Sequence, residues 1–430
     1  MIRLSRLSFA SPNTIAMATP KRAVITGLGI ISPLGIGLAA FWESCTAGRS
    51  GVRRIAAFDP SDLTSQIAGQ VDGFEPLAYM GAKLASRTER YVQFALAAGK
   101  EAATASGIHG AVRPDRLGII LGTGSGGLSV SDKYVLLAAE RGWAKTDPLV
   151  LLKLLPDMAA SNLAIEIGAK GPVMTLVAAC VSSTQAIGEA LRIIRSNAAD
   201  VVLAGGTEAS VTPFGMGTFC LLRALSTNNC EPERASRPFD AARDGFVLAE
   251  GAAILVVEEL EHARRRDARI IAELVGYAQT SDAYHLVTPS REGEGASHCI
   301  ELALRDAHLK PDNIDYINAH GTSTLLNDVA ETKAIRSVFG KRAYSIPTSS
   351  IKSMMGHALG AAGAIETIAA VMTLQTEILP PTINLDSPDP QCDLDYVPNE
   401  ARRQPTRVIV KNSFGFGGQN ACLVLRRFET

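Results

Sequence analysis

Four stretches of the chain hold residue types able to do chemistry. The first is "VMTLVAAC", Val173 to Cys180, an apolar run ending on a cysteine just ahead of "STQAIGEALRII". A helix starting just after Cys180 would turn its unpaired N–H groups and positive end toward the sulfur. That favours a thiolate, and the same N–H groups could hold a developing oxyanion. A small buried thiol is the competing reading. The cysteines at 45, 220, 230, 299, 392 and 422 lack this setting and read as structural.

His320 closes the second stretch, "IDYINAH", before a Gly-Thr turn. Strand ends in α/β proteins open onto the ligand crevice, although a lone histidine there is more often structural. His357 lies in the third, "KSMMGHALGAAGAIE", ahead of a helix of small residues. The fourth is "NSFGFGGQNACLVL", Asn412 to Leu425, whose glycines permit positive φ and close backbone approach. There Phe414 and Phe416 could gate a cavity; the alternative is a plain glycine hairpin before a final strand. "LGTGSGG" lacks the G-x-x-x-x-G-K-[ST] spacing and is rejected as a nucleotide loop.

These stretches sit on alternating layers. "RAVITGLGIISPLG" reads as a strand running into a Gly/Pro turn, and "RYVQFALAAGKEAATASG" as a helix ended by Gly107. "RLGIIL", "VMTLVAAC" and "ADVVLAGG" read as strands buried on both faces, with helices between them. The pattern implies an α/β fold. The second half echoes the first. "RPDRLGIILGTG" pairs with "KPDNIDYINAHGTS", and the Cys180 strand-turn-helix pairs with "TSSIKSMMGHALGAAGAIETIAAVMTL". Two echoes in one order suggest a duplication, split near residue 270, into halves 21–270 and 271–430. His357 then holds in the second half the place of Cys180 in the first. Pseudo-symmetric packing of the halves would bring the two turns together.

Composition narrows the function classes. The 430 residues, 47% hydrophobic and 20% charged, are globular in kind and suffice for more than one core. A net charge of −1 gives no basic field for nucleic acid. No apolar run is long enough to insert in a membrane, and the cysteines show neither a disulfide framework nor zinc spacing. At the N-terminus, "MIRLSRLSFASPNTIA" has no acid and several serines. Residues 1–20 read as an organelle transit segment, as a short extension, or as sequence upstream of a true start at Met17. The expected compartment is the cytoplasm, or the mitochondrial matrix if the segment is a transit peptide.

Taken together, "VAACVSST", "NAHGTST", "KSMMGHALGAAGAIE" and "NSFGFGGQN" resemble the β-ketoacyl-[acyl-carrier-protein] synthases of the elongating type II group. The similarity runs from Lys21 to Arg427 and includes "RALSTNN", "ASRPFDAARDGFVLAEGAA" and "PPTINLDSPDPQCDLDYVPNEAR". It implies a thiolase-type fold of five layers, α-β-α-β-α, acting as a homodimer without a redox or organic cofactor. It implies that Cys180 takes an acyl chain from acyl carrier protein, with the N–H groups of Cys180 and Phe416 as oxyanion hole. His320 and His357 would hold the enolate left when malonyl-carrier protein loses carbon dioxide. Thr322 and Thr324 would bind the pantetheine arm, and Phe414 and Ser125 would lie along the substrate. Lys352 and Glu366 would support the site. Asn318, Glu366 and Asn412 match positions that hold a structural monovalent cation in some members. Lys83, Arg87 and Arg223 are candidate carrier-protein contacts.

Two histidines with the cysteine point to elongating enzymes; chain-initiating relatives resemble a Cys-His-Asn arrangement. Val181, Ser125, Gln419, Leu325 and Leu326 depart from the commonest pattern, which bears on chain length. The competing functions are a ketosynthase of a specialised polyketide or lipid pathway, and a non-catalytic chain-length-factor-like subunit. Cys180 argues against the second.

Overall fold

The computed structural model describes residues 20–429, so the proposed leader and Met17 lie outside the described residues. The first half runs β1 (Ala23–Ser32), α1 (Arg90–Ser106), β2 (Leu117–Gly122), α2 (Met158–Ile167), β3 (Val173–Leu176), α3 (Ser182–Arg195), β4 (Val201–Glu208) and β5 (Gly251–Glu259). The second runs β6 (Ala272–Ser281), α4 (Glu294–Asp306), β7 (Tyr316–Asn318), α5 (Leu325–Phe339), β8 (Thr348–Ser349), α6 (Leu359–Thr376), β9 (Val408–Gly415) and β10 (Gln419–Arg426).

The strand orders are β3-β2-β4-β5-β1 and β8-β7-β9-β10-β6. Adding five to each label of the first half gives the second. Pairing directions repeat too. β2 is parallel to both neighbours and β5 antiparallel to both, as are β7 and β10 in the second half. β1 and β6 join the halves through three antiparallel residue pairs.

Three large apolar clusters define five layers. One packs α1 and α2 on the outer face of the first sheet, and another packs α4 and α5 on that of the second. The third, between the sheets, holds α3 and α6. The small residues of α6 follow from this position. A Cβ on Gly363 would lie 2.1 Å from Thr184 Oγ1, and one on Gly360 2.2 Å from the Gly124 amide nitrogen. Larger side chains would force α6 away from α3 and from the loop after β2. α6 is also long and apolar enough to cross a membrane, but 83% of it is buried inside the fold. It is a core helix.

One strand departs from the sequence reading. β3 is not buried on both faces: it is a sheet edge, and Val173, Met174 and Val177 are 41%, 39% and 56% exposed. An apolar run signals burial, but not whether its own chain supplies the cover.

Candidate active site

Cys180 sits in a single 3-10 turn, Ala179–Val181, that leads straight into α3. The turn is tight. Ala179 is held at φ 48, the left-handed region that costs a non-glycine residue about 1–2 kcal/mol. Ser182 Oγ fixes it, accepting from the Ala178 N–H at 2.9 Å and donating to the Ala179 carbonyl at 2.7 Å. The β9–β10 hairpin approaches from the other half. A Cβ on Gly415 would lie 3.3 Å from the Cys180 nitrogen, so glycine allows this approach. The Phe416 N–H then faces the Cys180 sulfur closely enough to favour its thiolate. The glycine loop is thus both a hairpin turn and part of the site.

Burial pushes the Cys180 thiol up to about 11, opposed by the Lys352 charge and the Phe416 N–H and reinforced by Glu208 and Glu366. The thiolate expected from a helix end is not the resting form. The sulfur rests as a thiol that must give up its proton as it attacks.

His357 lies two residues before α6, as Cys180 lies two residues before α3. The rings of His320 and His357 stand edge to face, centroids 5.4 Å apart, with Phe414 and Phe246 against their outer sides. Burial holds both imidazoles well below their usual value, and Lys352 and Lys411 add to the effect. Both are therefore neutral at physiological pH. Lys352 Nζ lies 3.3 Å from His320 Nδ1 and donates to the His320 carbonyl at 2.6 Å. An ammonium can only donate, so Nδ1 is an acceptor and Nε2 carries the proton. Neither ring nitrogen of His357, only 2% exposed, has a hydrogen-bond partner among the described residues. A buried histidine with both nitrogens free is set up for a ligand.

Cys180, His320 and His357 line one cavity of about 360 Å³. Thr322 and Thr324, their hydroxyls 2.8 Å apart, line it as well, as do Phe414 and Phe416. Arg223, Leu325 and Leu326 form an exposed rim. Lys83 and Arg87 are on the surface and outside the lining. Ser125 does not reach the lining. Its hydroxyl bonds to Glu208, which the turn after β2 wraps.

Three buried charges escaped sequence reasoning. Glu208 accepts N–H bonds from Gly124 (2.7 Å) and Gly360 (3.0 Å), tying the first half to the start of α6. Glu331 accepts the N–H groups of His320 (2.8 Å) and Gly321 (2.7 Å), and burial raises it to about 7. Lys411 pairs with Glu366 at 2.9 Å, while Lys352 holds the other oxygen. The signal available was a charged residue inside an apolar run, as in "VIVKNSF" and "LAGGTE". The side-chain amide of Asn318 and the Oδ1 of Asn412 have no hydrogen-bond partner among the described residues.

A thiol, two neutral imidazole donors, two backbone N–H groups and a hydroxyl pair in one cavity suit acyl transfer through a thioester and stabilisation of an enolate. Comparison with known proteins agrees. The family model "Beta-ketoacyl synthase, N-terminal domain" matches residues 21–263, and the C-terminal domain model matches 271–386. The chain is 46% identical over 408 residues to 3-oxoacyl-[acyl-carrier-protein] synthase 2 of Coxiella burnetii, covering 95% of this chain and 99% of that one. It is 44% identical to a putative polyketide beta-ketoacyl synthase 1 of Streptomyces cyaneus, covering 94% and 98%. A solved type II polyketide ketosynthase, in complex with its acyl-carrier protein and bound to the hexaketide, superposes with a TM-score of 0.90. It has 35% identity and covers 95% of this chain and 100% of that one. With Cys180 and both histidines around one cavity and the match running over nearly its whole length, the chain belongs to the beta-ketoacyl synthase family.

Proposed function

We propose that Cys180 is the acyl acceptor and that His320 and His357 stabilise the enolate in the reaction of this enzyme. The chain is an acyltransferase, a 3-oxoacyl-[acyl-carrier-protein] synthase that lengthens fatty acyl chains by decarboxylative condensation. The observation that carries the assignment of roles is the shared cavity of Cys180 and two neutral, donor-bearing imidazoles.

The Cys180 sulfur attacks the carbonyl of an acyl thioester on acyl carrier protein. The oxyanion rests on the N–H groups of Cys180 and Phe416, and the thiol proton leaves with the carrier's sulfur. Malonyl-carrier protein then enters past Leu325 and Leu326, its pantetheine arm against Thr322 and Thr324. The bond to the carboxylate breaks, carbon dioxide leaves, and the electron pair passes to an enolate. His320 Nε2–H and an N–H of His357 donate to the enolate oxygen. Neutral rings suit this step, since each needs one donor and no proton is transferred. The enolate carbon attacks the acyl carbonyl, the carbon–sulfur bond breaks, and Cys180 leaves as a thiolate that takes a proton from water to return to the resting thiol. Lys352 fixes the His320 tautomer and is a positioning residue.

A second copy of the chain is the proposed cover for β3, which offers a free strand edge with Val173, Met174 and Val177 uncovered. The cytoplasm is the proposed compartment. The test of the roles separates the half-reactions. Cys180→Gln abolishes acyl transfer and keeps malonyl decarboxylation; loss of both, or of neither, removes the assignment. The similarity to a polyketide synthase, within a few per cent of that to the Coxiella enzyme, favours a second reading in which the growing chain keeps its keto groups. Offering saturated and β-keto acyl-carrier proteins side by side decides between them.

A further inference from the structure

We propose that the Lys411 ammonium is a built-in substitute for the monovalent cation that the family resemblance implies for Asn318, Glu366 and Asn412. Lys411 is the cross-strand neighbour of Asn318, on β9 beside β7, and is fully buried. Its side chain runs into the central layer. There Nζ lies 2.9 Å from Glu366 Oε2, donates to Thr184 Oγ1 at 3.0 Å, and donates to Ser413 Oγ. Two hydroxyl oxygens accept protons from the ammonium, and the Glu366 carboxylate oxygen lies against it as the ion-pair partner. Such a shell of hard oxygens is what a sodium or potassium ion would ask for. It also joins α3, four residues beyond Cys180, to α6.

A metal ion does not fit beside this arrangement. Glu366 is the one carboxylate of the implied ligand set, and it already faces two ammoniums, Lys352 on Oε1 and Lys411 on Oε2. A metal would be a third positive charge on the Glu366 carboxylate, with Glu331 beside Asn412 as the other carboxylate near the set, in a buried part of the core. The unpartnered Asn318 amide and Asn412 Oδ1 remain. They are ligands that a metal could use once the ammonium is gone. The ammonium delivers the same charge to the same carboxylate, independent of the salt around the protein. The claim does not depend on the roles given to Cys180, His320 and His357, and its readout is thermal rather than catalytic.

The test compares thermal unfolding of the full chain in potassium chloride and in N-methylglucamine chloride at equal ionic strength. The wild-type midpoints should coincide. Lys411→Ser removes the charge and opens the space, so its midpoint should rise with potassium by mass action and not with N-methylglucamine. Lys411→Met removes the charge but fills the space, and should be less stable in both salts alike. A wild-type midpoint that rises with potassium alone, or a Lys411→Ser variant blind to potassium, overturns the proposal. Should Lys411→Ser not fold, wild-type crystals soaked in thallium(I) decide. Anomalous density among Asn318, Glu366 and Asn412 overturns the proposal, and its absence there supports it.

Discussion

Replacing His357 by Phe should cost catalysis and add stability. Both ring nitrogens of His357 are buried without a hydrogen-bond partner among the described residues. Each such atom in an apolar setting costs about 1–3 kcal/mol. The cavity side of the ring can be hydrated, so one nitrogen's worth, about 1–2 kcal/mol, is the expected gain when both are removed. Phe keeps the edge-to-face packing on Phe246 and His320, and the adjoining cavity of about 360 Å³ accepts one more ring atom. Losing a preorganised donor to an oxyanion lowers the rate by about 10²- to 10³-fold. Malonyl decarboxylation should therefore fall by that factor, acyl transfer to Cys180 should change little, and the denaturant midpoint at neutral pH should rise. A variant less stable than wild type with decarboxylation intact would refute the reasoning, since His357 would then be a packing residue.

Three other perturbations probe the supporting structure. Because Glu331 is raised from 4.5 to about 7 by burial, the folded state holds a proton in that window that the unfolded chain has released. Its contribution to stability is therefore lost as pH rises from 4.5 to about 7, by about 3 kcal/mol in all. Glu331→Gln should lack that slope in pH-dependent urea unfolding, and a variant with the wild-type slope contradicts the assignment. With its thiol raised to about 11, Cys180 should react with iodoacetamide about tenfold faster per pH unit from neutrality upward, and a plateau there would mean a resting thiolate. Gly363→Ala puts a Cβ 2.1 Å from Thr184 Oγ1 and should cost about 1–3 kcal/mol by calorimetry; adding Thr184→Ala should recover part of it, and strict additivity would show that the two do not touch.

The layers were legible because buried strands write themselves as apolar runs and helices between them as 3.6-residue stripes. The duplication was legible because the Pro-Asp turn recurs before β2 and β7 and the strand-turn-helix recurs at Cys180 and His357. In that repeat His357 holds the place that Cys180 holds in the first half. What escaped had a common cause: sequence shows which residues are buried, not what they face. Ser125 read as lining the substrate, yet its hydroxyl turns to Glu208. Lys411 and Glu208 each break an apolar run with a charge, but their partners, Glu366 and the Gly360 amide, come from the second half. β3 looked like a core strand because an apolar run does not show whether a strand lies inside a sheet or at its edge. The sequence left thiolate and buried thiol both open because helix-end electrostatics is local to the motif, whereas the burial that raises the thiol comes from the whole fold.

The most direct test is a single turnover. The enzyme is loaded from an acyl-carrier protein, the acylated peptide is mapped by mass spectrometry, and malonyl-carrier protein is then added. The acyl mass should appear on Cys180 alone, and the chase should release a product two carbons longer from the wild type but not from the His320→Ala/His357→Ala double variant. An acyl group on another residue, or elongation by the double variant at the wild-type rate, would contradict the account.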